Sequence, residues 1–595
     1  MLPVSFAVLR LVPAASGFVR FALRRLSPAL PALLLALVAG ADLARAQQAP
    51  ESARRVNACT PGSQPIGRAA YNFEDALNLV LPGSPRPVYP KVDVRAIVRY
   101  PAKAAGENTE PADGRFPFVL FLHGNHATCF IPSAAPENRC SCRHDCRPAD
   151  RIPNHLGYEY MLDVLASHGI IAISVDGFDV TCASSPAMSD YEARGRLVLH
   201  HLGLWRTWDQ RGGDPWGGRF RGRVDLDKIG LSGHSRGGEG VVAAEAINRF
   251  EQLGFKIAAV NAIAPTDQDP LIRWVPAAPY LVTIAAADGD VRGLHGLRTF
   301  DRTGRPMSVA PAEKVMSLTY GANHNFFNTV WTPGTGFRCA GDDAPPGWPN
   351  RLTPEQQRSV GCQTIVPFFR QHLQDDGLFR DIVSGAVRLA GLDDVKTFWA
   401  HQPRAGMFVD HFEHFGGPGR NSMGEVGGTG GAVAVFDRFS HRPMSPTGPA
   451  PVPRAYNGSF RGDSTGIVIG WDDSARYETV LPADARNLGS YKAISFRAAQ
   501  ILDNAQRNPA GAAKVLEVRL ETSAGAKASY ELTVQEGIPY PYVGNGGPTV
   551  LTTVRVPLTK FRLDNAPFPI NDVAKISIEL KGRGLIAIDD IQLVD

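Results

Sequence analysis

The sequence predicts an α/β fold, a doubly wound and mostly parallel sheet with helices on both faces, followed by an all-β jelly-roll sandwich. Two observations support this prediction. Apolar strand-like runs alternate with helical segments between residues 92 and 372, which is the pattern of a parallel sheet with crossover helices. Near residues 400–410 the helical segments stop, and short alternating strands separated by glycine and proline take over.

The length of the chain and the change from alternating strands and helices to short strands predict three segments. A chain of 595 residues is too long for one compact domain. We expect a signal peptide at 1–46, a catalytic domain at 55–400 and a β-sandwich at 405–595. The formal charge of +4 is small for this length, so we expect no nucleic-acid partner.

The N-terminal segment has the pattern of a secretory signal peptide. Arg24 and Arg25 precede an apolar run over 29–41, and residues 44–46 fit a small-x-small cleavage site. An uncleaved membrane anchor is the alternative, although the run is short for a membrane span. We expect a secreted protein, periplasmic or extracellular, that is monomeric and has no membrane partner after cleavage.

Each element of the catalytic region follows from its hydrophobic pattern. Continuous apolar runs indicate buried parallel strands, and apolar residues at helical spacing indicate amphipathic helices. These patterns predict strands at 92–100, 116–122, 170–175, 229–231, 257–263, 280–286 and 315–320, and helices at 158–168, 191–209, 241–250 and 355–374. Ligands of such sheets bind at the carboxyl ends of the strands, so the candidate residues follow each strand.

The candidate nucleophile is Ser235, which lies in a G-x-S-x-G motif between the strand 229–231 and a helix. A serine on such a sharp turn projects its hydroxyl away from the backbone. It also lies at a helix N-terminus, where negative charge is favoured. Ser464 lies in a second match to the motif, but a strand follows it, which indicates a loop serine.

A serine nucleophile needs a base and an orienting carboxylate. His324 follows the strand 315–320 and is the candidate base. The carboxylate is expected after the strand 280–286, where we prefer Asp290 because one more loop residue helps to turn the side chain back toward the sheet edge. The alternatives are Asp288, Asp267 and Asp269.

The candidate oxyanion hole consists of the backbone N–H groups of Asn125 and Arg236. Asn125 comes after the strand 116–122 and after Gly124, which lets the backbone approach a substrate closely. Arg236 directly follows Ser235. We expect no cofactor and no metal in the catalytic site.

Eight cysteines, all before residue 400, indicate disulfides in an exported protein. The preferred pair is Cys339–Cys362, which would staple the loop after the last catalytic segment. A zinc site is the alternative for the cluster Cys140, Cys142, His144 and Cys146.

Four motifs of the catalytic region suggest a family: LHGNH at 122–126, GHSRGG at 233–238, ADGD at 287–290 and GANH at 321–324. They resemble those of secreted α/β-hydrolases of the polyester hydrolase (cutinase-like) and chlorophyllase-like group. The resemblance implies carboxylic-ester hydrolysis without a metal, and it supports Asp290 as the acid. The cysteine-rich insertion at 129–146 is a departure from the compact polyester hydrolases.

The C-terminal region has FVDHFE in its first strand and IAIDDI in its last strand, at 586–591. These strands resemble the terminal pair of the galactose-binding-like jelly rolls found as carbohydrate-binding modules. The resemblance implies a structural calcium near Asp410, Glu413 and Asp589, with surface carboxylates as the alternative. Trp471, Tyr477, Tyr540 and Tyr542 are candidates for a sugar-stacking face.

The resulting hypothesis is a secreted serine esterase that acts on an ester substrate through an acyl-enzyme. A polymeric and a carbohydrate-associated substrate both stay open. The alternatives are a serine peptidase on the same fold and a catalytically inactive binding or adhesion protein.

Overall fold

The computed structural model describes most of the chain after residue 53. The described residues are 54–80, 86–182, 185, 187–270, 272–303, 312–348, 350–412, 419–440, 465–501, 505–540 and 550–595. The predicted signal peptide, Ser464, Glu413 and Tyr542 therefore lie outside them. Within these ranges, every helix is too short or too polar to span a bilayer.

Strands dominate the described chain. In chain order they are β1 Arg54–Val56, β2 Ile66–Val80, β3 Pro87–Pro101, β4 Gly106–Glu107, β5 Phe116–Leu122, β6 Cys129–Phe130, β7 Cys140–Ser141, β8 Ile171–Val175, β9 Val224–His234, β10 Ile257–Ile263, β11 Tyr280–Ala285, β12 Lys314–Thr319, β13 Val387–Leu389, β14 Thr397–Gln402, β15 Gly406–Asp410, β16 Gly427–Ser440, β17 Thr465–Val480, β18 Ala493–Gln500, β19 Leu516–Thr522, β20 Lys527–Glu531, β21 Thr552–Pro557, β22 Arg562–Leu563, β23 Ala566–Pro567, β24 Val573–Lys581 and β25 Gly584–Val594. The α-helices are α1 Glu159–Ser167, α2 Asp190–Gln210, α3 Arg236–Phe250, α4 Gly296–Arg302, α5 Pro354–Gln374 and α6 Leu378–Val383.

The first large sheet has ten strands in the order β14-β12-β11-β10-β9-β5-β8-β3-β2-β4. The central block from β12 to β8 is parallel. Alternate residues of β5 enter two different cores: Leu120 packs on the side of α2 and α3, whereas Phe121 packs on the side of α1 and α5. This two-sided burial explains why these strands are continuous apolar runs.

The predicted fold class is wrong for the chain as a whole. The structure is sheet-rich, with 36% strand and 22% helix. Thirteen of the twenty strand pairings between described residues are antiparallel. The prediction missed β2 and shortened β3, which form a long antiparallel hairpin at one side of the ten-stranded sheet. It also missed the antiparallel edge strand β14. A helix-rich core with a mostly parallel sheet does not describe this chain.

The second large sheet has nine strands, and all of its pairings are antiparallel. The strand-rich texture expected after residue 405 is therefore present. Its core includes Trp471 and Tyr477, and Tyr540 is buried as well, so none of these three rings forms an exposed sugar-stacking face.

The second sheet meets α4, which follows β11 of the first sheet, at a buried ion cluster around Arg497 of β18. Its guanidinium contacts Asp301 of α4 at 2.7 Å, Asp589 at 2.6 Å and Asp590 at 2.7 Å. Tyr540 also packs into the core of the first sheet. The C-terminal sheet is therefore packed against the first sheet through buried charge and apolar contacts, and α4 takes part in the junction.

The prediction of disulfides is confirmed, but the preferred pair is wrong. Cys339 pairs with Cys140, and Cys362 pairs with Cys59. The other two bonds are Cys129–Cys146 and Cys142–Cys182. Cysteines 140, 142 and 146 are all oxidised in these bonds, so the zinc alternative fails for this cluster. Two of the disulfides, Cys142–Cys182 and Cys140–Cys339, instead fasten the cysteine-rich insertion to the loops that follow β8 and β12.

Candidate active site

Ser235 occupies a strained turn between β9 and α3. Its φ of 56° and ψ of −126° lie outside the regions that residues with side chains usually adopt. The turn is fixed on both sides: the Ser235 N–H donates to the carbonyl of Ile263 at 2.8 Å, and its carbonyl accepts from Gly238 at 2.9 Å. The serine is only 1% exposed. This geometry matches the predicted elbow at the carboxyl end of a strand.

His324 lies in the loop after β12, and the residue before it is held by α5. The Gln357 amide accepts from the Asn323 N–H at 3.0 Å and donates to the Asn323 carbonyl at 2.7 Å. The Asn323 side chain accepts from Phe326 at 2.9 Å, which closes a turn around the histidine. Like Ser235, His324 is only 1% exposed. The imidazole is therefore placed by a buried polar network.

The carboxylate that orients the imidazole is that of Asp288. Its Oδ2 lies 2.8 Å from His324 Nδ1, and its side chain is 2% exposed. Asp290, the residue preferred from sequence, is 62% exposed and lies 3.5 Å from the other ring nitrogen, Nε2. The preference for Asp290 is thus corrected to Asp288. The reason is the turn itself, because Asp288 Oδ1 accepts from Val291 at 2.6 Å and holds its own side chain inward.

The two remaining aspartate alternatives serve other contacts. Asp267 pairs with Arg302 and Arg298 at the end of β10. Asp269 accepts from the Ser189 hydroxyl at 2.6 Å and from the Trp274 indole at 2.8 Å. Both carboxylates brace the loop after β10 and do not contact His324.

A buried aromatic cluster surrounds the histidine. The Trp331 ring lies parallel to the His324 ring at 6.4 Å and stacks on His126 at 4.9 Å. The His234 ring lies 4.9 Å from that of His324, and burial holds its pKa well below the usual value. His234 is therefore a neutral packing residue beneath the site. His324 Nε2 has no hydrogen-bond partner among the described residues, Ser235 included.

The predicted oxyanion loop lies directly against the serine. A methyl group built on Gly124 would lie 2.4 Å from Ser235 Cβ and 3.2 Å from its hydroxyl, so only glycine fits there. The Asn125 side chain accepts from the Cys182 N–H at 2.9 Å, which ties this loop to the loop after β8. The Arg236 side chain pairs with Asp190 at 3.0 Å. The structure thus brings both peptide segments to Ser235; their role as oxyanion donors stays a prediction.

The charges around His324 favour its protonated form. Burial alone lowers the pKa of the imidazole, but the carboxylates of Asp288, Asp290 and Asp343 outweigh burial and raise it to about 9. The two other imidazoles that face it, His234 and His126, have pKa values lowered mainly by burial and add no charge near neutrality. At pH 7 the resting histidine therefore carries a proton.

We expect kcat/KM for ester hydrolysis to rise with pH toward an inflection near pH 9, the pKa of His324. A general base acts only when it is unprotonated, so activity falls about tenfold per pH unit below that inflection. Initial rates on an ester whose uncatalysed hydrolysis is subtracted at each pH would measure this. An inflection at 6.5, the ordinary histidine pKa, would contradict it.

The raised pKa of His324 also links the stability of the fold to pH. The interaction of the protonated His324 with its carboxylates stabilises the fold fully below pH 6.5, and this contribution is lost as pH rises through about 9.

Two of the residues proposed for calcium, Asp410 and Asp589, have protein partners, and Glu413 lies outside the described residues. Asp410 Oδ2 accepts from the Tyr477 hydroxyl at 2.5 Å, and its Oδ1 accepts from Phe412 at 2.9 Å. Asp589 pairs with Arg497, so its negative charge is already balanced by the guanidinium. Among the described residues, no three or more histidine, cysteine or acidic side chains form a group suited to a metal ion. Asp410 and Asp589 are thus structural hydrogen-bond and ion-pair partners.

Sequence reasoning missed three residues that build the site: Gln357, Trp331 and Asp343. Gln357 lies on a helix predicted from its apolar positions alone, and a buried glutamine gives no periodic signal. Asp343 belongs to an acidic pair in the loop that carries Cys339. That pair, close in sequence to the candidate base, is the one signal that could have been followed.

The arrangement contains the groups that acyl transfer needs. A strained serine follows β9, a histidine whose Nε2 has no hydrogen bond to any described residue follows β12, and a buried carboxylate that contacts the other ring nitrogen follows β11. A search against protein-family models and a search of curated proteins each find no match. The chemistry is therefore inferred from the side chains themselves.

Proposed function

We propose that this protein is a serine hydrolase that cleaves carboxylic esters through an acyl-enzyme on Ser235. The single observation that supports this most is the 2.8 Å contact between Asp288 and His324 Nδ1, which leaves Nε2 without a hydrogen bond to any described residue. Nε2 is the nitrogen that takes a proton from a nucleophilic hydroxyl in such a triad. Hydrogen bonds of catalytic groups often tighten only when substrate binds.

In the first half-reaction, Ser235 Oγ attacks the ester carbonyl carbon and its proton passes to His324 Nε2. Negative charge that develops on the carbonyl oxygen is stabilised by the N–H groups of Asn125 and Arg236. The carbon–oxygen bond to the alcohol then breaks, and His324 returns the proton to the leaving oxygen. Asp288 stabilises the imidazolium formed between these two steps.

In the second half-reaction, water replaces the alcohol. His324 takes a proton from the water as it attacks the acyl carbon, and it returns that proton to Ser235 Oγ when the acid leaves. The resting protonation of His324 must be reversed before the first half-reaction begins, because only the neutral imidazole accepts a proton. This requirement makes the enzyme one that works best in alkaline solution.

We also propose that the protein is exported to a periplasm or to the outside of the cell. The four disulfides support this, because such bonds persist in oxidising compartments. The apolar run and the small-x-small site near residue 46 are the corresponding sequence signal. An ester outside the cell is thus the proposed substrate class.

A serine-directed phosphonate tests the proposed nucleophile directly. We expect one phosphonyl group per chain, located on the peptide that contains Ser235, and loss of p-nitrophenyl ester hydrolysis in proportion to labelling. The chain supplies its own control, because Ser464 lies in a second G-x-S-x-G motif. Ser464→Ala should still be labelled, whereas Ser235→Ala should not. Labelling that persists in Ser235→Ala would reject the proposal.

A further inference from the structure

A carboxylate outside the Ser–His–Asp set contacts both loops that carry the acid and the base. Asp343 Oδ2 accepts from the Gly289 N–H at 2.9 Å and from the His324 N–H at 3.2 Å. Its Oδ1 accepts from the Asn325 N–H at 3.0 Å. One side chain thus accepts hydrogen bonds from the loop that carries Asp288, through Gly289, and from the loop that carries His324, through His324 and Asn325.

These bonds add to a backbone connection between the two loops at the strand ends. A backbone bond of 2.8 Å from Ala287 to Ala322 joins the two loops near the sheet. Beyond that point, the tips of the loops are linked by Asp343 and by the Asp288–His324 pair itself. The Asp343 carbonyl also lies so close to Gly289 that an added methyl group would come within 1.6 Å of it.

The segment that carries Asp343 is itself anchored. Cys339, four positions before it, is bonded to Cys140 of the cysteine-rich insertion. Asp342 accepts from the Asn323 side chain at 2.9 Å and pairs with Arg351 at 2.7 Å. The segment that leads into Asp343 is therefore held by a disulfide at Cys339 and by an ion pair at Asp342.

We propose that Asp343 is a positioning residue that clamps the acid loop to the base loop and so fixes the 2.8 Å contact between Asp288 and His324. This inference rests on the proposed esterase function, and it gives the cysteine-rich insertion a role. Through Cys140–Cys339, the insertion holds the segment that aligns the orienting acid with the base.

The chemistry of the clamp requires a carboxylate. All three partners are N–H donors, so both oxygens of the side chain must accept. In Asp343→Asn, one oxygen becomes an NH₂ group that faces at least one N–H, and a donor facing a donor forces the loops apart. The substitution also removes one of the negative charges that raise the pKa of His324.

The test compares Asp343→Asn with the matched control Asp376→Asn. Like Asp343, Asp376 accepts a backbone N–H, that of Leu378 at 3.0 Å. It pairs with Arg370, lies between α5 and α6, and does not contact the triad. We expect Asp343→Asn to lower kcat about 100-fold with little change in KM, since a small misplacement of catalytic groups has effects of this size. The pH inflection of kcat/KM should move to lower pH. The control should keep the kcat and the inflection of the unmodified protein.

An NMR measurement on the resting protein, which needs no ester hydrolysis, separates this inference from the proposed function. The proton between His324 Nδ1 and Asp288 should give a strongly downfield ¹H NMR signal, assigned by its loss in His324→Gln. We expect this signal to be lost or weakened in Asp343→Asn and retained in Asp376→Asn, whether or not any ester is hydrolysed. Gly289→Ala would place a methyl group against the Asp343 carbonyl and should reproduce the effect. It replaces Asp343→Asn if that variant does not fold.

Two results would overturn the clamp. One is an Asp343→Asn protein with the same downfield signal as the Asp376→Asn control; the other, where esters are hydrolysed, is a kcat and pH inflection equal to those of the control. If instead the signal behaves as expected but Ser235→Ala still hydrolyses esters, the clamp stands and the esterase proposal fails.

Discussion

Replacing Ser235 by alanine is expected to lower kcat for a short-chain p-nitrophenyl ester by about 10⁶-fold, the scale on which loss of a triad nucleophile acts. The expected loss is large because Ser235 forms the covalent bond and no second hydroxyl can take its place at the strained turn. Single-turnover kinetics with purified protein would measure the remaining rate. Residual activity should not show the alkaline rise, because His324 would have no nucleophile to deprotonate.

A structural explanation for that loss can be separated from a chemical one. Serine to alanine at this position removes one oxygen from a side chain that is 1% exposed, and the backbone bonds of the turn do not use that oxygen. We therefore expect the thermal unfolding midpoint to stay close to that of the unmodified protein. An inactive variant with a normal midpoint supports a chemical role, whereas full activity would remove Ser235 from the mechanism.

The parts of the site that sequence reasoning found are those that short-range patterns specify. Ser235 lies in a strand-turn-helix unit whose glycines, apolar run and helical spacing are all contiguous. His324 was found because it directly follows an apolar strand. Both residues lie at carboxyl ends of parallel strands, and the parallel block of the first sheet is the region where continuous apolar runs were informative.

The choice between Asp288 and Asp290 depended on a detail that sequence spacing does not contain. The two residues lie two positions apart in one loop, and their order along the chain does not determine which side chain turns inward. In the structure, Asp288 accepts from the Asp290 and Val291 N–H groups, so the first aspartate caps the turn and the second is exposed. An aspartate that bonds the backbone two residues on is a common turn device.

The fold prediction failed for antiparallel strands whose sequences contain no continuous apolar run. β2 alternates between buried and exposed residues and contains charged positions, so no apolar run marked it. Its partner β3 begins at Pro87 and was recognised only from residue 92. Together with the second sheet, this hairpin shifts the balance of the chain from helix to strand.

Contacts across long sequence separations explain the other errors. The disulfides Cys59–Cys362 and Cys140–Cys339 join residues 303 and 199 positions apart. The Arg497 cluster joins the second sheet to α4 in the same way, with Asp301 lying 196 positions before the arginine. No local pattern encodes such partners, because they are selected by the packing of elements that are distant in the chain.

Substitution of Asp288, the acid of the proposed triad, is expected to have the second large effect on kcat. Asp288→Asn should lower kcat by about 10⁴-fold, because an asparagine amide can hold the imidazole in the wrong tautomer and cannot stabilise its charged form. Asp290→Asn should keep kcat/KM at its pH optimum within about fivefold, since an exposed ion pair contributes at most about 1 kcal/mol. Both variants should be assayed at the optimum of each, so that a shifted pH profile is not mistaken for lost catalysis.

The two aspartate variants should also differ in the direction of their pH response. Both carboxylates help to raise the pKa of His324, so either substitution should move the inflection of kcat/KM below pH 9. Only Asp288→Asn should also lower the plateau above the inflection, because only Asp288 contacts Nδ1. A normal plateau in Asp288→Asn together with a 10⁴-fold loss in Asp290→Asn would show that the exposed aspartate turns inward when substrate binds. In that case the loop 288–291 would move during the reaction, and the resting contact between Asp288 and His324 would not be the catalytic one.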